Sequence, residues 1–332
     1  MSDRVSILIS AYNAEKWIKP AIESALRQTW ADREVVVVDD GSTDRTLDIA
    51  RTFETDSVKV VTQDNRGAAA ARNRSLKLAS GDFIQWLDAD DLLAPDKIAG
   101  QMKAAAGERS KLVLYSSPHG LFYHRPHKAR FVPNALWQDL SPADWLIIAM
   151  AKSLWMNPAG WLVSRMLTEK AGPWNERLSI DDDGEYFARV VAASEKVRFV
   201  RESRCYYRQA SFQQLSRDMT ERAGKSLVLS AKLRIQTLLS LENSERGRSA
   251  ALAHLQARLP AFYPEKAEML RHINAMASEL GGNLTMPRFN WRLKLLQRLF
   301  GPEWGRRVMI CFRRLRMGTA VKWDEWMAKL GR

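Results

Sequence analysis

Through the first ninety residues, short runs of uniformly apolar residues alternate with stretches whose apolar positions recur at helical spacing. Val5-Ser6-Ile7-Leu8-Ile9-Ser10 reads as a strand, and Trp17, Ile18, Ile22, Ala25 and Leu26 mark one face of the helix that follows. Glu34-Val35-Val36-Val37-Val38 is a second strand, too evenly apolar to keep one face in water, and Leu47, Ile49 and Ala50 open a second helical pattern. Val58-Lys59-Val60-Val61 predicts a third strand, and Gly67 to Asn73 starts an alanine-rich helix carrying Leu76 and Leu78. Phe83-Ile84-Gln85-Trp86-Leu87 predicts a fourth strand, which runs directly into Asp88-Ala89-Asp90-Asp91. Strand and helix in alternation predict an α/β fold: a Rossmann-like, mainly parallel sheet with helices on both faces. Such sheets bind ligands in the crevice beyond the carboxyl ends of the strands. The polar loop residues after each strand fall on that edge.

Charge is concentrated there. Asp88 and Asp90 stand two apart, so continued extended geometry would put both carboxylates on one face, where they can share a hard divalent cation such as Mg2+ or Mn2+. An isolated Asp-x-Asp is equally the pattern of a solvated turn, so the motif alone does not decide. A second acidic group, Asp181-Asp182-Asp183, precedes Gly184 within Gly172 to Arg189. Three adjacent carboxylates repel one another and raise the pKa of at least one, which suits a general base; the same acids would also favour the start of a helix near Gly184. No His or Cys pattern accompanies either group, so zinc has no support.

The blocks Val5 to Asn13, Val35 to Asp44, Asn65 to Asn73 and Gly81 to Asp91, in that order, resemble the nucleotide-binding half of family 2 glycosyltransferases with the GT-A fold. The likeness continues more weakly to about residue 215. The resemblance implies a site for a nucleotide sugar, with a UDP-sugar the expected donor. Ser10 and Tyr12 lie in the base-binding loop, Tyr12 stacking on uracil unless it only packs. Asp40 would accept the imide N–H of the base, while Asp39 and Asp44 hold the turn or cap the next helix. Arg72 would approach base or phosphates, or stand as an ordinary surface charge. Asp90 would coordinate the metal directly, with Asp88 on the ribose or on a metal-bound water, and Asp91 would orient the acceptor or the loop. Alignment back from Arg189 puts Asp183 at the family's catalytic base and Asp182 at its acidic partner. The implied chemistry is inverting displacement, assisted by Mg2+ or Mn2+, onto a glycan or lipid-linked glycan acceptor in surface polysaccharide or lipopolysaccharide biosynthesis. Glycoside hydrolysis, which also uses two carboxylates, has no use for a nucleotide fold. Three departures stand out. Ser10-Ala11 replaces the more usual proline and small hydroxyl residue, the block at Tyr206-Tyr207-Arg208-Gln209 lacks its usual histidine and leaves any phosphate role to Arg208, and no Gln-x-x-Arg-Trp motif of processive synthases occurs. Addition of one sugar or a short extension is expected.

Composition sets the domain plan. A chain of 332 residues, 46% hydrophobic, accommodates a catalytic domain over 1–215, with a nucleotide-binding half 1–100 and an acceptor half 101–215, and a helical, basic, Trp-rich region over 216–332. Cys205 and Cys311 make no disulfide framework. The first strand begins at Val5 and no apolar run approaches a spanning helix, so a cytoplasmic enzyme is expected. Of the net charge of +13, the segment 288–332 carries twelve Lys and Arg against three acids, interleaved with Trp291, Leu295, Phe300, Trp304, Trp323 and Trp326. This composition fits an anionic membrane interface, simple packing on the catalytic domain, or an acidic polymer; no specific nucleic acid is expected. The competing function is a non-catalytic scaffold acting through this tail. Asp40, Asp88, Asp90 and Asp183, all intact at one sheet edge, favour the enzyme.

Overall fold

Val5–Ala11 (β1), Arg33–Asp39 (β2), Val58–Thr62 (β3) and Phe83–Asp88 (β4) run parallel in the spatial order β3-β2-β1-β4. They are seen in a computed structural model that describes residues 3–209, 220–262, 266–285, 318–319 and 321–330. Ile18–Leu26 (α1), Thr46–Arg51 (α2) and Ala68–Leu78 (α3) connect them. Side chains alternate across a strand, and here both sets are covered. Leu8, Val36, Val38, Ile84 and Trp86 enter one buried cluster, while Ile7, Ile9, Val35, Val37 and Leu87 enter another on the opposite face. That is why the valine run of β2 shows no polar alternation: each side chain gains about 1.5–3 kcal/mol from burial on whichever face it takes.

The chain then adds Leu92–Leu93 (β5), Lys97–Ala106 (α4), Val113–Ser116 (β6), His119–Phe122 (β7), Arg130–Phe131 (β8) and Pro142–Ala151 (α5). Val163–Ser164 (β9) pairs antiparallel with β4 and closes that edge of the main sheet. Arg165–Ala171 (α6) and Asp182–Ala193 (α7) follow, then Lys196–Phe199 (β10), which pairs with β6. Cys205–Arg208 (β11) lies between β5 and β7, in a small sheet of order β5-β11-β7-β8. This second sheet brings Arg208 back to the acidic end of β4. Beneath that end Lys97 is fully buried and donates to Gln85 Oε1 and, at 3.1 Å, to the Trp161 carbonyl; desolvation pulls its ammonium down to about 7.

Glu221–Leu241 (α8), Glu245–Phe262 (α9) and Ala267–Glu279 (α10) form the C-terminal helical region. They have a cluster of their own around Ile235, Leu255, Phe262 and Ile273, yet Leu238 and Ala250 join the cluster that covers the main sheet. Most of the basic, Trp-rich stretch over 288–332 lies outside the described residues. Its described part is helical over 321–329, where Asp324 accepts from the backbone N–H groups of His124 (2.8 Å) and Arg125 (3.2 Å) and from Arg125 Nε (2.7 Å). Trp323 and Trp326 remain exposed. Among the described residues no helix is long and apolar enough to cross a membrane.

Candidate active site

The carboxyl ends of β1, β2 and β4 converge, with Ser10 paired in register to both Val38 and Asp88. Loops after β1 and β2 are laced together: Asn13, in the left-handed region at φ 48°, accepts from the Thr43 N–H at 2.9 Å, and Asp44 takes the N–H groups of Thr46 (2.9 Å) and Glu15 (3.1 Å). Asp39 receives the Thr62 hydroxyl at 2.9 Å, so both residues hold the turn as their type suggests. Asp40 is buried and accepts three hydrogen bonds, from Gln63 Nε2 (2.7 Å) and the backbone N–H groups of Arg66 (3.0 Å) and Gly67 (2.8 Å). An ionised carboxylate has about four lone-pair sites, so one is left. The adjoining turn depends on Gly41, whose φ of +73° is the glycine-favoured region and whose added Cβ would lie 2.8 Å from the Asn65 amide nitrogen. Tyr12 stands 52% exposed above this floor, and the buried Ser10 Oγ has no hydrogen-bond partner among the described residues.

Strand geometry ends at Asp88. The chain turns there, with the Asp91 N–H donating to the Asp88 carbonyl at 3.0 Å, so the side-by-side alternation expected for Asp88 and Asp90 does not carry through; a turn, not an extended strand, brings them to the same edge. Asp91 is buried and accepts from the Arg208 N–H (2.8 Å) and Asn157 Nδ2 (2.7 Å), and burial beside Asp90 and Asp88 pushes its carboxyl well above the usual range. Asp91 therefore fixes the loop. Arg208 donates through Nε to the Asp90 carbonyl at 2.7 Å and lies 4.3 Å from the Trp17 ring and 4.4 Å from that of Phe122; desolvation lowers its guanidinium to about 10.

Arg72 occupies the centre. Its Nη2 donates to Asp88 Oδ1 at 2.8 Å and its Nη1 to Asp182 Oδ2 at 2.6 Å, which joins the end of β4 to the start of α7. The guanidinium rests 4.4 Å from the Trp174 ring, itself stacked on Tyr186 at 4.0 Å and 8°. Asp182 is held above the usual carboxylate range by burial, against the attraction of Arg72. Asp183 is pushed up to about 7, first by burial and then by the neighbouring Asp182 and Asp181 charges. Asp181 goes the other way: despite burial, Arg258 and Arg234 hold its carboxyl below the usual range. The three adjacent acids thus split into a structural ion pair, a bridged carboxylate and a carboxyl poised near neutrality. The Arg72 contact to Asp182 spans 110 residues and the contacts of Asp181 to Ser230, Arg234 and Arg258 span 49 to 77, which local sequence pattern does not report.

Among the described residues no group of three His, Cys, Asp or Glu side chains is placed to hold an ion unaided. A Mg2+ or Mn2+ site needs only one or two carboxylates when substrate phosphates complete the oxygen shell. The residues present fit that requirement, since Arg72 takes only one oxygen of Asp88 and Asp90 sits on the same edge. Beside this centre, a cleft of about 300 Å³ opens between Phe122, Tyr123, Lys128, Arg130, Gln209 and Asp324. Its wall residue Tyr123 is tied to Arg208, whose Nη1 donates to the Tyr123 carbonyl at 3.0 Å.

The family model described as Glycosyl transferase family 2 matches residues 6–126. The chain is 44% identical over 100 residues to the Escherichia coli UDP-Glc:alpha-D-GlcNAc-diphosphoundecaprenol beta-1,3-glucosyltransferase WfaP, covering 30% of this chain and 39% of that protein. It spans no more than 60% of the length of curated relatives from Rickettsia, Bacillus and Streptococcus. Among solved structures, Staphylococcus aureus TarS 1–349 in complex with UDP-GlcNAc superposes with a TM-score of 0.59 at 18% identity, covering 86% of this chain and 94% of that one. The mannosyltransferase PcManGT from Pyrobaculum calidifontis, in complex with GDP-Man and Mn2+, gives 0.50 at 21% identity over 84% of this chain and 81% of its own. The parallel sheet, its acidic carboxyl edge and these likenesses agree on a GT-A fold, with the resemblance to family 2 glycosyltransferases carried by residues 6–126.

Proposed function

We propose that the chain is an inverting, non-processive glycosyltransferase that moves one sugar from a UDP-sugar to a hydroxyl of a lipid-linked glycan in surface polysaccharide synthesis. The observation that carries the reading is the Arg72 bridge: one side chain ties the carboxylate at the end of β4 to the acidic start of α7. Tyr12 offers an exposed ring for the base, and the remaining lone pair of Asp40 suits its imide N–H. Asp90 and the free oxygen of Asp88 would hold Mg2+ or Mn2+, as the PcManGT complex holds Mn2+. The metal, when bound, would offset the charge that grows on the departing diphosphate. Asp183, with a pKa near neutrality, takes the acceptor proton, and Asp182, pinned by Arg72, stands beside it. The acceptor oxygen attacks from the side of α7 while the diphosphate leaves on the side of β4, which inverts the anomeric centre.

The acceptor class rests on two observations. WfaP is named for a diphosphoundecaprenol-linked acceptor, and the cleft beside Arg208 presents Lys128 and Arg130, cations suited to a diphosphate. We place the catalytic domain at 1–215, followed by a helical region over 216–332, and assign the basic segment 288–332 to docking at the cytoplasmic membrane face, where such an acceptor would reside. The exposed Trp323 and Trp326 fit that assignment. Calorimetric titration of UDP, GDP and dTDP, each with and without Mn2+, tests the donor site on wild type and Asp90→Ala. Binding of UDP that needs the metal and is lost in the variant is the expected result; no binding of any nucleotide would overturn the reading.

A further inference from the structure

We infer that the C-terminal helices are part of the catalytic apparatus: Ser226, Ser230 and Arg234 of α8, with Arg258 of α9, clamp the turn over 179–181 and so aim Asp183. None of these four residues lies in the 6–126 stretch matched by the family. Ser226, Ser230 and Arg234 are four apart and share one helix face. The buried Ser226 hydroxyl accepts from the N–H groups of Ser179 (3.0 Å) and Ile180 (3.1 Å) and donates to the Ile180 carbonyl at 2.7 Å. One side chain thus satisfies three backbone groups of the turn. Ser230 Oγ lies 2.7 Å from Asp181 Oδ2 and 3.1 Å from the Asp181 carbonyl, and Arg258 Nη2 donates to Oδ2 at 2.6 Å. Arg234 Nη1 stands 3.4 Å from Asp181 Oδ1.

Two backbone features show that the contact is built in. Asp181 adopts the left-handed conformation, at φ 57°, which is costly for a residue with a side chain unless its surroundings enforce it. Gly184, in the first turn of α7, leaves room for the pair: an added Cβ would lie 2.5 Å from Asp181 Oδ1 and 2.8 Å from Arg234 Nη1. Asp183 sits between these two positions, so the clamp sets the direction in which its carboxyl leaves the helix. The charges that face Asp183 are Asp182, Asp181, Arg72 and Asp88, and those that face Asp181 are Arg258 and Arg234, with His254 against Arg258 at 3.1 Å. Asp181 and its arginines are therefore electrostatic as well as mechanical neighbours of the base.

The inference rests on Asp183 being the base. The test is kcat/KM against pH, with UDP affinity measured alongside, for Asp181→Asn, Arg258→Gln, Arg258→Lys and Ser226→Ala. A displacement of the base by about 1 Å costs up to roughly 100-fold in turnover, so kcat falls roughly 10- to 100-fold in the Asn and Gln variants while UDP affinity holds within about twofold. The acid limb moves down in Asp181→Asn, where a repelling charge is removed, and up in Arg258→Gln, where an attracting one is removed; Arg258→Lys restores its position. Ser226→Ala, the mildest change, lowers kcat without moving the limb. A role in stability alone would lower activity without opposite displacements, and that result, or full activity in all four, would overturn the clamp. Asp183→Asn measured in parallel separates the two ideas: if it is inactive while the clamp variants are fully active, only the clamp fails, and if it is active both fail.

Discussion

A carboxyl with a pKa near 7 among carboxylates that are bridged or ion-paired has a direct kinetic consequence. As the proposed base, Asp183 must be ionised to accept a proton, and burial beside Asp182 and Asp181 raises its pKa to about 7, so the proposal predicts that kcat/KM for transfer rises about tenfold per pH unit well below that value and levels off above it. The sign follows from the direction of the shift: a raised carboxyl pKa means the proton is released late, and activity is lost as pH falls through it. A profile measured from pH 5 to 9 checks this, and a limb below about pH 5 would show that the neighbouring charges do not act on the base. At this scale the sequence was legible for residue types and less so for partners. Asp88 and Asp90 stood out as acids at the end of an apolar strand, whereas Asp40 and Asp183 were singled out through the resemblance to family 2 glycosyltransferases. Arg72 could not be placed between Asp88 and Asp182, because that geometry is made by contacts 16 and 110 residues away. The same limit hid the division of labour in Asp181-Asp182-Asp183, which is decided by Arg258 and Arg234 on helices far along the chain.

Elements deliver these residues through turns more than through regular structure. The four parallel strands were legible because their side chains are buried on both faces, which removes polar alternation and leaves β-branched runs. The end of β4 was less so: alternation predicted a shared face for Asp88 and Asp90, whereas the chain turns after Asp88, with the Asp91 N–H bonded back to the Asp88 carbonyl at 3.0 Å. Turn geometry depends on backbone hydrogen bonds that composition does not encode. The loop after β2 shows how much depends on one such turn. Gly41 combines φ of +73° with close approach to Asn65, so Gly41→Ala strains the backbone and pushes apart the loops that Asp40 holds. We expect a loss of about 1–3 kcal/mol in stability and at least a fivefold weaker affinity for UDP, read by thermal denaturation and calorimetry. Unchanged UDP affinity in the folded variant would place the base elsewhere.

Over the whole molecule, the resemblance seen in four short blocks extended to a fold shared with TarS over 86% of the chain, and the helical region was foreseen from leucine spacing alone. What leucine spacing did not show is that α8 and α9 pack against the main sheet's core, with Leu238 and Ala250 in it and Arg258 on Asp181. Hydrophobic periodicity reports that a helix buries a face but not which surface receives it. The basic tail belongs to the same problem: its described helix attaches through Asp324 to the backbone at 124–125, at the rim of the cleft lined by Lys128 and Arg130 that we propose for the acceptor. The central claim joins a donor edge at β4 to a base on α7, and one variant addresses it most directly. Transfer from a UDP-sugar to a lipid-linked acceptor should fall at least roughly 1,000-fold in Asp183→Asn while metal-dependent UDP binding stays within about twofold of wild type. Transfer within tenfold of wild type in that variant would contradict the account.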